Sequence, residues 1–327
     1  MTSLLSKCQV CQGLLDEEDL FCSNCGTESP KMARPVKPLA SQVTHSFNCT
    51  GCGASMTYSS SAKNLVCPFC GSQKLEEKDL KTITAKRIIP FQISQGEAIA
   101  RLKNWMGKGF WRPRDLATNA EITKLTPVYV PYWLFSAKTS TNWTGDTSKL
   151  PNFSSGDWAP VAGTHQGEYD QILVGASSTL TPYETKSVAP FDFLQSRPFH
   201  GEESTEYTIE QFCVPRKYAR PHAYQEINRL ERDTCRKYIP GRSRNVNANV
   251  LTREMSSYPV LVPVWIMAYN YEKKVYRFLL NGQNGKPSGT PPFSIGKALG
   301  VVTIVVAIVT AILLLFLVVG GLISLMN

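Results

Sequence analysis

The stretch PVYVPYWLFSA, residues 127–137, is repeated 132 residues further along the chain as PVLVPVWIMAY, residues 259–269. Five of the first seven positions are identical in the two copies: Pro, Val, Val, Pro and Trp. Apolar residues at alternating positions predict that each copy is a β-strand. The internal prolines, Pro131 and Pro263, lack the N–H group that a sheet uses, which predicts that each strand lies at an edge or contains a bulge.

Two explanations fit this repeat: chance similarity between two buried strands, or an internal duplication. We favour duplication, which predicts two related β-rich lobes, each with a packing helix, over residues 81–160 and 161–292. The segment between the two copies is polar and rich in glycine and aromatic residues. This composition favours a twisted β-meander with long loops.

Two amphipathic helices are predicted within the lobes. Ser94 and Glu97 match a capping box, and a helix that begins there has its apolar residues on one face. That face consists of Ala98, Ile99, Leu102, Trp105 and Met106. A second helix is predicted over residues 223–238, beginning near Pro221 and ending before Pro240. Its packing face consists of Tyr224, Ile227, Leu230 and Thr234.

Eight of the ten cysteines form four C-x2-C pairs, which is the spacing of structural zinc ligands. Gly53 and Gly71 directly follow two of these pairs, where the backbone must turn tightly around a metal. Four thiolates leave no open coordination position, so we predict two structural Zn2+ ions. The ligands are Cys8, Cys11, Cys22 and Cys25 in a first ribbon and Cys49, Cys52, Cys67 and Cys70 in a second.

Residues 298–327 contain no charged side chain, and a helix needs only about 20 apolar residues to cross a bilayer. We therefore predict one transmembrane helix at 298–326; the alternative, a buried core helix, is seldom so long and so uniformly apolar. Lys286 and Lys297 precede this helix, so the positive-inside rule places the N-terminal bulk in the cytoplasm of a single-pass cell-membrane protein. Gly296 and Gly300 are spaced for a helix–helix contact, which leaves a homo-oligomer open.

Disulfides are the alternative use of the paired cysteines. They need an oxidising compartment, and no signal peptide precedes Cys8. The predicted cytoplasmic location instead keeps the thiols reduced and available to zinc.

The formal net charge of +9 suggests a nucleic-acid partner, but the ribbons do not hold this charge. Residues 1–30 contain one lysine against five acidic residues, and residues 46–75 contain only Lys63 and Lys74, which a four-cysteine zinc site would neutralise. The basic residues follow in the body, where anionic lipids are a natural counter-surface; the alternative is that they form ordinary solvated helix faces. A membrane-tethered nucleic-acid-binding protein is therefore the alternative function, and we do not expect nucleic acid to be the partner.

The predicted class is α+β. The predicted order is a first zinc ribbon (1–28), a proline-rich linker (29–45), a second zinc ribbon (46–75), the two lobes (81–160 and 161–292) and the transmembrane helix (298–326).

Together these residues resemble a bacterial family of membrane-anchored proteins with TFIIB-type zinc ribbons, often labelled helicase-like or primosomal. The resemblance extends over nearly the whole chain. It rests on CTGCGA…CPFCGS, IIPFQIS…VYVPYWLF, EYDQILVGAS and LVPVWIMAYNY…YRFLLNGQNGKPSG. It implies an accessory role in a phage-shock-type membrane-stress response, with a phage-shock protein A-like or flotillin-like partner. We therefore expect an adaptor or scaffold that recruits cytosolic proteins to the inner face of the membrane.

We predict that the protein is not an enzyme. Its four histidines are scattered, and no phosphate-binding loop, HExxH or GxSxG motif occurs. Cys213 and Cys235 are the cysteines left after zinc is assigned. The enzymatic alternative is a site between the lobes in which Cys213 is paired with His200 or His222.

Overall fold

The computed structural model describes most of the chain from residue 44 to residue 326 and short parts before it. The described residues are 6–10, 12, 14–15, 27, 44–59, 65–78, 83–107, 109, 112–113, 116, 121–122, 125–149, 156–201, 206–272 and 274–326. In the N-terminal part, β1 (Ser6–Lys7) pairs antiparallel with β2 (Leu14–Leu15), and Cys8 is buried directly after β1. The other predicted ligands of the first ribbon, Cys11, Cys22 and Cys25, lie outside the described residues.

The remaining elements make this a mixed α+β protein with a sheet-rich body, as the sequence predicts. The strands are β3 (Thr44–Cys49), β4 (Ser55–Ser59), β5 (Leu75–Glu77), β6 (Arg87–Ile88), β7 (Glu121–Ile122), β8 (Thr126–Thr147), β9 (Ala159–Gly175), β10 (Arg197–Pro198), β11 (Thr208–Glu210), β12 (Ser243–Tyr271), β13 (Lys274–Asn281) and β14 (Pro287–Gly289). The helices are α1 (Gln95–Gly107), α2 (Pro182–Val188), α3 (Arg216–Lys237) and α4 (Ile295–Met326), with a 3-10 turn at Phe193–Gln195.

Strands β3 to β14 belong to one sheet, whose centre is the antiparallel pair β8 and β12. At about 3.3 Å per residue, the length of β12 corresponds to roughly 90 Å of extended chain. β9 pairs with the other edge of β8, and β13 pairs with the C-terminal part of β12. The predicted boundary between the lobes, at residue 160, falls inside β9, and strands from both lobes share this sheet. The extent of the lobes stays a prediction.

The two copies of the sequence repeat lie side by side at the centre of the sheet. Val130 pairs with Val262, and these two residues are also each other's counterparts in the repeat. Because the strands are antiparallel, an approximate two-fold axis passes through this pair and relates one copy to the other. The arrangement supports the duplication that the sequence suggests.

Trp133 and Trp265, at equivalent positions of the two copies, make equivalent contacts on the two sides of this axis. The Trp133 indole N–H donates to the Val214 carbonyl oxygen at 2.9 Å, and the Trp265 indole N–H donates to the Ile93 carbonyl oxygen at 3.0 Å. Trp133 packs with the buried face of α3, whereas Trp265 packs with the buried face of α1. Each copy of the strand therefore has its own packing helix, on either side of the axis.

The prediction that the repeat prolines lie at an edge or in a bulge is wrong, because both are in central strands. Pro131 lies between the part of β8 that pairs with β11 and the part that pairs with β9. Pro263 lies between the parts of β12 that pair with β6 and β13. The Pro131 carbonyl accepts the Ala176 N–H, and the Pro263 carbonyl accepts the Gly282 N–H. Because the nitrogen and the carbonyl of a strand residue point to the same side, each proline nitrogen also faces away from the β8–β12 pairing. The hydrogen bonds between β8 and β12 therefore lose no donor.

The predicted start of α1 is confirmed: the Glu97 N–H donates to Ser94 Oγ at 3.3 Å, and the Ser94 N–H donates to Glu97 Oε2 at 3.0 Å. The predicted start of α3 is wrong, because this helix begins at Arg216 and contains Pro221. Pro221 is the sixth residue of the helix and lies beyond the N–H groups that have no helical acceptor, so its missing N–H costs one helical hydrogen bond. The buried face of α3 is Arg216, Ala219, Ala223, Ile227, Glu231 and Cys235.

Candidate metal centre

Four of the eight predicted ligands meet in the second ribbon. The Sγ atoms of Cys49 and Cys70 are 3.7 Å apart, those of Cys52 and Cys67 are 3.6 Å apart, and all four lie within 4.8 Å of one another. In a tetrahedral zinc site with Zn–S bonds of about 2.3 Å, neighbouring sulfurs are separated by about 3.8 Å. These four cysteines could therefore hold one metal ion.

Two backbone turns of the same design place the sulfurs. The Cys49 N–H donates to the Ala54 carbonyl at 2.8 Å, and the Gly53 N–H donates back to the Cys49 carbonyl at 2.7 Å. Cys67 and Gly71 repeat this pattern, with Cys67 N–H donating to the Ser72 carbonyl. Gly53 and Gly71 have φ angles of +77° and +76°, which explains the glycine after each second cysteine.

The ribbon is part of the body rather than a separate module. Its strand β4 pairs with β11, which in turn pairs with the central strand β8. Phe69, between the second pair of ligands, is fully buried, and its carbonyl accepts the Arg277 Nε–H at 2.8 Å. The cysteine cluster shares one hydrophobic core with residues of the repeat, including Val128, Val130 and Val262.

Burial opposes ionisation in the cysteine cluster, so a site of four thiolates needs a cation. Burial raises the pKa of the Cys70 thiol to about 11, whereas the hydrogen bond from Cys67 lowers the pKa of Cys52 to about 5. Burial and the neighbouring sulfurs raise the pKa of Tyr58, whose hydroxyl donates to the Val66 carbonyl at 3.1 Å. Four thiolates at this spacing repel one another, and a divalent ion compensates that charge.

A buried carboxylate lies beside the ribbon on β11. Glu210 is fully buried, and its Oε1 accepts the Ser177 hydroxyl at 2.7 Å and the Ser178 N–H at 3.1 Å. Burial nevertheless raises its pKa from the ordinary 4.5 to about 7. Because the folded chain binds this proton more tightly than the unfolded chain, the resulting stability is complete below about pH 4.5 and is lost as the pH rises to about 7.

We expect Glu210→Gln to remove this pH dependence, because the amide keeps the acceptor at Oε1 but cannot ionise. A shift from 4.5 to about 7 corresponds to about 3 kcal/mol, so the variant is expected to be more stable than the natural chain at pH 8 by up to that amount. Thermal unfolding at pH 5 and pH 8 measures the difference. Glu254→Gln, at an exposed carboxylate, is the control; equal pH dependence in both variants would contradict the expectation.

The structure also brings together residues that sequence analysis left separate. His165, Glu231 and Cys235 form a second group of potential metal ligands. In the sequence, His165 is one of four scattered histidines and Cys235 is a cysteine outside the C-x2-C pairs, and nothing there singles out Glu231. The pairing of Cys213 with His200 or His222 stays a prediction. Cys213 lies beside Ser55 and Glu210.

Comparison with known proteins gives one similarity to report. The chain is 26% identical over 311 residues to YdjG, an uncharacterized protein of Bacillus subtilis (strain 168), and the match covers 77% of this chain and 91% of YdjG. No family model matches the chain. No solved structure matches it significantly.

Proposed function

We propose that this protein is a single-pass membrane adaptor that holds a structural zinc ion and recruits cytosolic proteins to the inner face of the cell membrane. The observation that carries this proposal is α4. The segment Gly296–Leu313 has a mean hydropathy of 2.3, and none of it is buried against the body. A core helix would be covered by protein, so an exposed helix of this composition is best explained by a bilayer.

The base of α4 is attached to the body. Lys297 Nζ donates to the Arg112 carbonyl at 2.7 Å, and the Arg112 guanidinium lies 4.0 Å above the Trp105 ring. Tryptophan and basic side chains are typical of the membrane interface, and basic residues are typical of its cytoplasmic side. This supports a cytoplasmic body fixed close to the inner surface.

The cytoplasmic location agrees with the chemistry of the four cysteines. Free thiols persist in a reducing compartment. Four thiolates at tetrahedral spacing match the four-cysteine coordination that structural Zn2+ commonly has in proteins. We propose that the zinc is structural, because the four protein ligands complete its coordination. The role is that of a scaffold rather than an enzyme.

The edge of the sheet at the ribbon is a suitable recruiting surface. Among the described strands, β5 pairs only with β3, so its other edge can bind an added strand. Glu76 and Glu77 on β5 are exposed and lie between the exposed Lys74 and Lys78, so this edge carries charges of both signs. The resemblance to membrane-stress accessory proteins supports a phage-shock protein A-like partner.

Affinity purification of the full chain from membranes tests this proposal. We expect the double variant Glu76→Lys, Glu77→Lys to lose its protein partner, because the edge then carries only positive charge while the cysteines are untouched. Glu254→Lys is the matched control, since Glu254 is also an exposed acid on a strand and pairs with Lys138. The proposal fails if the double variant retains the same partner at the same yield as the control.

A further inference from the structure

Three side chains with metal-binding atoms converge far from the ribbon. His165 comes from β9, whereas Glu231 and Cys235 come from the buried face of α3, and their ligand atoms all lie within 4.8 Å of one another. His165 Nδ1 is 2.9 Å from Glu231 Oε2, and Cys235 Sγ is 3.9 Å from the same oxygen. Along β8, roughly 35 Å of extended chain separates this cluster from the residues next to the ribbon.

The charge of Glu231 is the reason to expect a cation. Its side chain is completely buried, and the groups that reach it are the Thr139 hydroxyl, the Tyr169 hydroxyl, His165 and Cys235. None of these has a permanent positive charge. A buried carboxylate without a compensating charge is costly, so the site is neutralised either by a proton or by a bound metal ion.

The two oxygens of Glu231 have different environments. Oε1 accepts the Thr139 hydroxyl, while Oε2 faces both His165 and Cys235. Carboxylates that bind a metal through one oxygen are commonly oriented by a hydrogen bond to the other. Gly167 makes room for this arrangement, because a Cβ at that position would collide with Oε1.

The surroundings also suit a metal. Residues 231 and 235 are one helical turn apart and therefore project from the same face of α3. Trp143 and Ile239 pack around Cys235 and make that side of the cluster apolar, whereas the His165 side chain is 15% exposed. A ligand set that is dry on one side and reachable on the other is typical of a site with an open coordination position.

We propose that His165, Glu231 and Cys235 form a metal site for a divalent transition metal, with Zn2+ the ion that fits best. The imidazole, carboxylate and thiolate are the three ligand types that zinc combines in proteins. The charges of one carboxylate and one thiolate balance those of a divalent ion. Three protein ligands leave a fourth position for water or another small ligand, in contrast to the closed four-cysteine site.

Metal analysis of the purified full chain tests this site. Cys235→Ser and His165→Gln are each expected to lose one metal equivalent per chain relative to the natural protein. Cys213→Ser is the matched control, because Cys213 is also outside the C-x2-C pairs and is expected to change nothing. Equal metal content in all four proteins would overturn the proposal and favour a hydrogen-bonded cluster without a metal ion.

A measurement on the unmodified chain avoids dependence on the folding of the variants. Crystals of the zinc-loaded protein should give an anomalous peak at the zinc edge about 2.3 Å from Cys235 Sγ and about 2 Å from His165 and Glu231. A peak at the four cysteines without one at His165 would overturn the proposal.

Discussion

Removal of the metal from Cys49, Cys52, Cys67 and Cys70 is expected to destabilise the whole body and not only the ribbon. The binding free energy of structural zinc is about 10–16 kcal/mol in small zinc-finger peptides, which matches or exceeds the total stability of many domains. Because the ribbon shares a hydrophobic core with the central strands, loss of the metal exposes that core. We expect a strong chelator to lower the melting temperature of the full chain by at least about 10 °C.

Variants separate this effect from metal bound elsewhere. Cys67→Ser should lower the melting temperature without chelator, and added Zn2+ should not restore it. Cys213→Ser should behave as the natural chain does before and after chelation, because Cys213 is a partly buried cysteine outside the cluster. A metal-free chain, verified by elemental analysis, that melts at the same temperature would show that the four cysteines are not a structural metal site.

The sequence predicts the cysteine cluster because its geometry is local. A C-x2-C pair followed by glycine fixes a local turn, and the observed hydrogen bonds lie within six consecutive residues. The docking of the ribbon on the body is not predictable in this way. It depends on Phe69 and on the pairing of β4 with β11, which is about 150 residues further along the chain.

The pairing of the two repeat copies at the centre of the sheet is likewise not predictable from the sequence. Sequence identity between the two copies predicts two similar strands but not that they pair with each other through Val130 and Val262. Because a proline cannot donate a hydrogen bond, the sequence predicts that each repeat proline lies at an edge or in a bulge. The structure satisfies this rule differently, by directing each proline nitrogen into a gap between two neighbouring strands.

Sequence analysis does not identify the cluster of His165, Glu231 and Cys235, because the packing face of a helix is inferred from its apolar residues. The predicted packing face of α3 consists of Tyr224, Ile227, Leu230 and Thr234, whereas the observed buried face includes Glu231 and Cys235. His165 is 66 residues away from Glu231 and reaches it only because β9 packs under α3. A buried acid one helical turn from a cysteine has no signal in the sequence that separates it from a surface acid.

Charged substitutions within α4 are expected to abolish membrane integration. On an insertion scale, the Val, Ile, Leu and Phe residues of 298–326 favour insertion by about 6–11 kcal/mol, and each central arginine opposes it by about 2.5–3.5 kcal/mol. The triple variant Val305→Arg, Val309→Arg, Ile312→Arg therefore brings the insertion free energy close to zero or makes it unfavourable. We expect the chain to leave the membrane fraction after an alkaline carbonate wash.

The matched control places three arginines at exposed apolar positions of the body: Leu194→Arg, Leu251→Arg and Val275→Arg. These side chains are at least as exposed as those changed in α4, so a general effect of added charge on solubility should appear in both variants. We expect the control to remain in the membrane fraction, because its α4 is intact. If the α4 variant also remains there after the wash, the helix is not the anchor, and the attachment of the body to the membrane must lie in another segment.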